Sequence, residues 1–339
     1  MTIQWQTSLA TDTTVEWGPT AALGTTTGNT VVREKNHAVT LTGLTAGSTY
    51  SYRVLSSGVP LSSISQLATA ALPSASSVTA LVFGDSGQGT PEQMTLAGVM
   101  KNETFDLALH LGDVIYPNGE AQNYDPNFFV PYAPWLRRSP CFPAFGNHDD
   151  GTASGQPYLD AFTLPANNPA ASELYYSFDW GDVHFVSIDT WKSFRQAGAP
   201  LTWLDQDLAA TTRRWKVVTM HVPLDSIGTH GDDAVLQSVV GPVFEKWKVD
   251  LVLAGHDHHY ERSAPIKRFS TDPTWPGYPY IISGGGGATI RAITPRPTTL
   301  AAESAYHYVV LTFTSAQIQG KAVRMDGTVI ESFTIPHAP

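Results

Sequence analysis

Hydrophobic positions follow two rhythms along the chain. From residue 1 to about 70, apolar residues alternate with polar ones. Ile3 and Trp5 alternate with polar residues, as do Val15 and Trp17 ahead of a Gly18-Pro19 turn, and Tyr50, Tyr52 and Val54 alternate after a Gly47 turn. A period of two marks half-buried strands, whose side chains point to opposite faces in turn. With the high Thr, Ser and Val content it predicts an antiparallel β-sandwich. Residues 70–77, AALPSASS, read as a linker. Beyond them, short apolar runs alternate with helix-patterned stretches. Strands are predicted over 78–83, 107–111, 141–145, 215–220, 249–254 and 280–283, and helices over 91–101, 126–137, 201–210 and 233–246. That alternation is the α/β pattern. Residues 175–178 and 184–188 read as a hairpin around Asp179-Trp180-Gly181-Asp182, and from 306 to 335 the period returns to two. The expected domains are 1–72 and 78–339.

The stretch 249–262 reads VDLVLAGHDHHYER. Its apolar run stops at Gly255, and His256, His258 and His259 follow at once. In an extended segment His256 and His258 point the same way, so that two imidazoles can serve one metal or two neighbouring ones. On this stretch alone, a surface loop that happens to hold histidines is the competing, less favoured account. Four other apolar strands end comparably: in Asp85, in Asp113 with Tyr116, in Asn147 with His148, and in His221. A single Asp after a strand is ordinarily a turn or cap residue. Five such ends are hard to reconcile with independent turns. Layered in one sheet, they would meet at its carboxyl edge, where open α/β folds bind ligands. Carboxylate, imidazole, amide and phenol donors suit Fe, Zn, Mn or Mg. Seven such residues are too many for one tetrahedral ion but fit two ions that share a carboxylate.

Composition narrows the classes. The chain has 339 residues, 42% hydrophobic and 15% charged, enough for two globular domains. Its formal charge of −10 argues against nucleic acid as a specific partner. It leaves a small phosphorylated substrate open, because bound cations reverse the local field. Cys141 is the only cysteine, so no intrachain disulfide forms and thiolate metal clusters are excluded. No run of about 18 apolar residues predicts a membrane span. Met1 is followed directly by a strand-like pattern, so the start reads as trimmed. The expected location is secreted or periplasmic, with the export signal lost.

Residues 38–54, AVTLTGLTAGSTYSYRV, resemble the late strands of a fibronectin type III-like domain, and no first strand of such a domain is found. Tyr50 and Tyr52 then read as core or corner tyrosines. Gly84-Asp85-x-Gly87, Gly112-Asp113-x-x-Tyr116, Gly146-Asn147-His148-Asp149, a strand ending in His221 and Gly255-His256-x-His258 occur in the order of the calcineurin-like metallophosphoesterases. Tyr116 and the Tyr260-Glu261-Arg262 tail make the sequence similar to the purple acid phosphatase type. The resemblance implies an α/β fold: a two-sheet αββα sandwich preceded by a small all-β fibronectin/Ig-like sandwich. It implies a first metal, ferric iron, held by Asp85, Tyr116 and His258. A second metal (zinc, manganese or ferrous iron) would be held by Asn147, His221 and His256, with Asp113 bridging the two. His148 and His230 would face substrate or transfer protons. The implied activity is that of a metal-dependent acid phosphatase, cleaving phosphomonoesters by metal-activated hydroxide attack without a phosphoenzyme.

Two other readings compete: a phosphodiesterase or phospholipase-like member of the same superfamily, and a non-catalytic surface-binding protein on the same fold. A lost ligand would mark the latter, and none is lost. Two departures bear on substrate preference. Asp149 stands where plant-type members usually have Glu, and the loop from His221 to His230 carries one histidine where some members have two. Asp257 and His259 read as orienting residues, Glu261 with Arg262 as an ion pair or as partners of the ligating histidines, and His110 and His184 as packed histidines. Residues 284–287 are all glycine, lack the Lys-Ser/Thr of a phosphate loop and read as close backbone packing.

Overall fold

The structure, a computed structural model, describes residues 1–337 and divides into two compact units. The smaller comprises Met1–Leu72 with Trp135–Pro140. Its strands are β1 (Thr2–Gly18), β2 (Thr25–Thr40), β3 (Thr49–Ser56), β4 (Val59–Pro60) and β5 (Ser65–Ala68). All pair antiparallel, in the order β2-β1-β3-β4 with β5 also on β3. The β1–β2 register shifts between Gln6 and Thr13. There the long ribbon turns over, so that Ile3 and Trp5 pack on the same cluster as Val15, Val39, Leu41, Tyr52, Val54 and Leu67. This makes a small β-sandwich. Tyr52 is buried in it, and the Tyr50 hydroxyl accepts the Thr45 N–H at 2.9 Å, the bond of a corner tyrosine.

The larger unit holds two mixed sheets. Its strands are β6 (Ser77–Phe83), β7 (Leu107–His110), β8 (Cys141–Pro143), β9 (Tyr176–Trp180), β10 (Val183–Ile188), β11 (Trp215–Met220), β12 (Leu251–Ala254), β13 (Tyr260–Ser263), β14 (Tyr280–Ser283), β15 (Thr299–Glu303), β16 (His307–Thr314), β17 (Gln317–Arg324) and β18 (Val329–Pro336). One sheet runs β15-β13-β14-β12-β11-β10-β9, the other β18-β17-β16-β6-β7-β8. Each contains a parallel run: β10-β11-β12-β14 in the first and β6-β7-β8 in the second. Parallel strands are covered on both faces, which is why they read as unbroken apolar runs. Phe313 meets Phe185 and Trp215 between the sheets, and Phe142 stacks on Phe178 at a centroid distance of 3.8 Å. Helices cover the outer faces. Trp203, Leu204 and Leu208 of Ala199–Ala210 pack on Val186, Val218 and Ile282, while Phe128 and Tyr132 pack on His110 and Phe83 of the other sheet.

The five ligand-bearing strands therefore lie in two sheets, as the family resemblance implies, and not in the single layered sheet that strand ends alone suggest. Two predicted helices also change. The one expected from Pro126 begins at Ala121, and a π-helical turn over Asp125–Phe129 carries the proline. The one expected over 233–246 breaks into Ala234–Val239 and Gly241–Lys246, because Pro242 has no N–H to continue the ladder. Arg262 does not pair with Glu261. Successive strand residues face opposite ways, and Arg262 takes Glu331 with two hydrogen bonds, at 2.8 and 2.7 Å. Glu261 turns inward to accept from Ile227 N–H and to meet His259 Nε2.

His184 is gripped at both ring nitrogens, by Asp179 and Asp207, each at 2.8 Å. Burial would push it down, but the hydrogen bonds and charge of the two carboxylates lift it to about 9. Its folded pKa thus exceeds the unfolded value of about 6.5. The stability it adds is complete below that value and lost as pH rises through 9. Urea denaturation of the protein and of His184→Gln should differ most near about pH 6 and converge above about pH 9–10. A difference independent of pH would mean that His184 is uncharged in the fold.

Candidate metal centre

The parallel strands of both sheets release their chains toward one another at their carboxyl ends. β6 is followed by Gly84-Asp85, β7 by Leu111-Gly112-Asp113, and β12 by Gly255-His256. Asp85, Asp113 and His256 have φ of 58°, 51° and 68°, the left-handed region that L side chains rarely occupy. Such backbone costs roughly 1 kcal/mol or more per residue and persists where the surroundings enforce it. The turn swings each side chain out of the strand direction and back over the sheet edge. The left-handed turn at His256 also breaks the extended geometry that would point His256 and His258 the same way, and the two imidazoles reach different neighbours. Glycines make the approach possible. A Cβ on Gly112, at φ 87°, would sit 2.6 Å from His221 Nδ1, and one on Gly146 would sit 2.2 Å from the Asp113 nitrogen.

All seven predicted ligands come together. Tyr116 Oη lies 3.1 Å from Asp85 Oδ1, 3.1 Å from Asp113 Oδ2 and 3.2 Å from His258 Nε2. On the other side of Asp113, its Oδ2 is 3.2 Å from His221 Nε2, which is 3.0 Å from Asn147 Oδ1 and 3.2 Å from His256 Nδ1. Asp113 is thus common to two clusters. Asp113, His221 and His256 each offer a ligand atom within 4.8 Å of the others.

The hydrogen bonds on the far side of each ring test whether a cation fits. His221 Nδ1 donates to the Leu111 carbonyl at 2.8 Å, and His258 Nδ1 to the Thr289 carbonyl at 2.7 Å. A carbonyl only accepts, so both Nδ1 atoms carry protons and both Nε2 lone pairs face inward. There they meet the oxygens of Asp113, Asn147, Asp85 and Tyr116 and the nitrogen of His256. Lone pairs converging in a buried space need a proton or a cation between them. A proton alone would go to His221: burial would lower its pKa, but Asp113 raises it to about 9. Burial would raise Asp113, yet His221 and His148 hold it well below the usual carboxylate range. Burial, then His221 and His230, keep His256 far below its ordinary value and therefore neutral. Burial and the carboxylates of Asp85 and Asp113 push the Tyr116 phenol well above 10. The donor set fits divalent or trivalent cations.

The two proposed substrate residues sit at the rim. His148 Nδ1 donates to the Pro117 carbonyl, and its Nε2 faces Asp113 Oδ2 at 3.8 Å. His230 is exposed and stacks on His256, with centroids 4.0 Å apart. Its N–H donates to Asp257, whose carboxylate also takes the Ser226 hydroxyl. The 284–287 run lies against the first turn: Gly286 N–H donates to the Gly84 carbonyl, and Ala288 N–H to that of Asp85. Asp149, a motif position expected to bear on substrate preference, takes another role, and Arg291 lies outside every motif. Asp149 is fully buried and accepts three backbone N–H groups, from Val114, Ile115 and Gly146, so it braces the Asp113 turn instead of facing substrate. Arg291 reaches His230 and the His256 carbonyl from the segment after β14. β14 is the parallel neighbour of β12, so the pattern of donors beyond strand ends extends to this segment as well.

A two-sheet α/β core with this donor set defines a metallophosphoesterase. Residues 78–260 match the model of the calcineurin-like phosphoesterase family, and the chain belongs to that family. Within it the chain is purple acid phosphatase-like and carries an N-terminal all-β sandwich. It is 30% identical over 287 residues to purple acid phosphatase 23 of Arabidopsis thaliana, covering 74% of this chain and 62% of that one. It is 27% identical over 353 residues to probable inactive purple acid phosphatase 1 of the same plant, covering 88% and 57%. The chain thus spans less than two thirds of the length of either relative. The purple acid phosphatase from yellow lupin seeds shares the fold over 99% of this chain and 72% of its own, with a TM-score of 0.87 at 22% identity.

Asp149→Ala would leave three buried N–H groups around the Asp113 turn without an acceptor. It should lower stability by about 2–4 kcal/mol in denaturant unfolding, whereas Asp149→Asn, which keeps one acceptor oxygen, should lose less. Equal stability of Asp149→Ala and the unmodified protein would refute the bracing role.

Proposed function

We propose that the protein is a dinuclear-metal phosphohydrolase that cleaves phosphomonoesters, of the acid phosphatase type. The observation that carries this reading is the intact set of seven donors arranged as two clusters that share Asp113. Asp85, Tyr116 and His258 would hold one ion, and Asn147, His221 and His256 the other. Ferric iron suits the first, because a phenol raised far above its ordinary range by burial and by two carboxylates ionises only beside a strongly charged cation. Zinc, manganese or ferrous iron suits the second. When bound, two such ions neutralise phosphoryl oxygens and acidify water for in-line attack.

The chain's own residues supply the rest. The left-handed turns and the Leu111 and Thr289 carbonyls fix the donors before any ligand arrives. His148, oriented by Pro117, presents Nε2 beside Asp113, where a leaving-group oxygen can be protonated or hydrogen-bonded. Similarity to a relative named as probable inactive keeps the non-catalytic reading in view. The complete donor set favours catalysis over it.

The deciding measurement is metal analysis with a visible spectrum, alongside p-nitrophenyl phosphate turnover. About two metals per chain, iron among them, with a broad visible band and turnover, is the expected result. Two metals and turnover without a band would remove ferric iron or Tyr116 ligation. No metal and no turnover after reconstitution would replace the phosphatase reading with the binding-protein one.

Asp113→Ala should abolish turnover and metal retention together, since both clusters lose their shared carboxylate. Tyr116→Phe should lose the visible band while keeping much of the turnover. Full activity in the first variant, or persistent colour in the second, would overturn the corresponding assignment.

A further inference from the structure

Arg291 follows the glycine run after β14, and its backbone N–H donates to the His258 carbonyl at 3.1 Å. Its half-buried side chain points Nη1 at His230 Nε2 and lies 3.4 Å from the His256 carbonyl. Every other arginine of the larger unit has a carboxylate within ion-pair distance. Arg291 has none among the described residues. A protein of net charge −10 therefore keeps an uncompensated guanidinium at the edge of its candidate metal centre. Guanidinium groups only donate, so His230 Nε2 accepts and its proton sits on Nδ1. His230 positions the arginine, and Nε and Nη2 keep donors to spare for an anion.

The stacking tells which anion. His230 lies nearly flat on His256, at an interplanar angle of 25°, and His256 Nδ1 points away toward His221. Arg291 thus stands one imidazole ring beyond the donor atoms that would hold metal. A phosphoryl group seated among those atoms leaves the guanidinium to a second anionic group on the same molecule. We propose that Arg291 is a specificity residue that binds this second group. The preferred substrates are then phosphoesters or anhydrides with an additional phosphate, such as nucleoside diphosphates. The inference rests on the phosphoesterase reading only for the placement of the first phosphoryl.

The test uses two non-hydrolysable probes, methylenediphosphonate with two anionic groups and methylphosphonate with one. Their binding to the metal-loaded protein is measured by titration calorimetry. The protein should prefer the diphosphonate, and Arg291→Gln should shrink that preference by roughly tenfold or more, the loss expected for charge-assisted hydrogen bonds. Arg291→Lys keeps the charge but not the fork and should recover part of it. Equal losses for both probes would show that Arg291 serves the first phosphoryl or merely holds His230, and no loss would remove it from binding; either overturns the proposal. A metal-loaded protein without turnover of any phosphoester would sink the phosphatase reading, while the probe preference would still decide the role of Arg291.

Discussion

One carboxylate, that of Asp113, is shared by two sets of inward-facing lone pairs, and the rest of the larger unit is arranged around that burial. Its Oδ2 meets Tyr116 on one side and His221 on the other, and its Oδ1 accepts the His148 N–H at 2.8 Å. A buried carboxylate among other acceptors is unfavourable without cationic partners. The fold sustains it with a left-handed backbone at Asp113, three N–H groups collected by Asp149, and a glycine on either side of the contact, Gly112 against His221 and Gly146 against Asp113. Each device is local. Together they keep donor atoms close that would otherwise move apart.

The two sheets are joined at the same place. His221, after β11, donates to Leu111, after β7. His256, after β12, gives its N–H to Asp85, after β6, at 3.0 Å. These bonds cross between the sheets, so positioning the donors and docking the sheets are one event. The rim is less constrained: the His230 and Arg291 side chains hold one another, and the Asp257 carboxylate takes only the His230 backbone N–H.

Much of this was legible in the sequence. Apolar runs with donors just past their ends located all seven inward-facing residues, because parallel strands are short and continuous and their carboxyl ends open on one edge. The period-two stretches located the β-sandwich. What escaped depends on tertiary contact. The local pattern does not divide the donor strands between two sheets, since strand pairing is non-local; only the family resemblance implied that division. The segment after Gly255 does not stay extended, so the condition under which His256 and His258 would point the same way is not met: His256 has a φ of 68°. Arg262 pairs with Glu331, far along the chain and invisible to a reading of adjacent charges. Asp149 departs from the family pattern, and its three backbone bonds, invisible in the sequence, tie that departure to the Asp113 turn.

The division of donors along the chain has a consequence for biogenesis. Asp85, Asp113, Tyr116 and Asn147 come from the earlier stretch, and His221, His256 and His258 from a stretch that leaves the ribosome later. Each cluster draws on both. Neither cluster is complete in a nascent chain that ends before His221, so a cation met early would find only part of a coordination sphere. A cation held by the full set would therefore report that the second sheet has docked on the first, and would add its binding free energy only to chains that have completed that step.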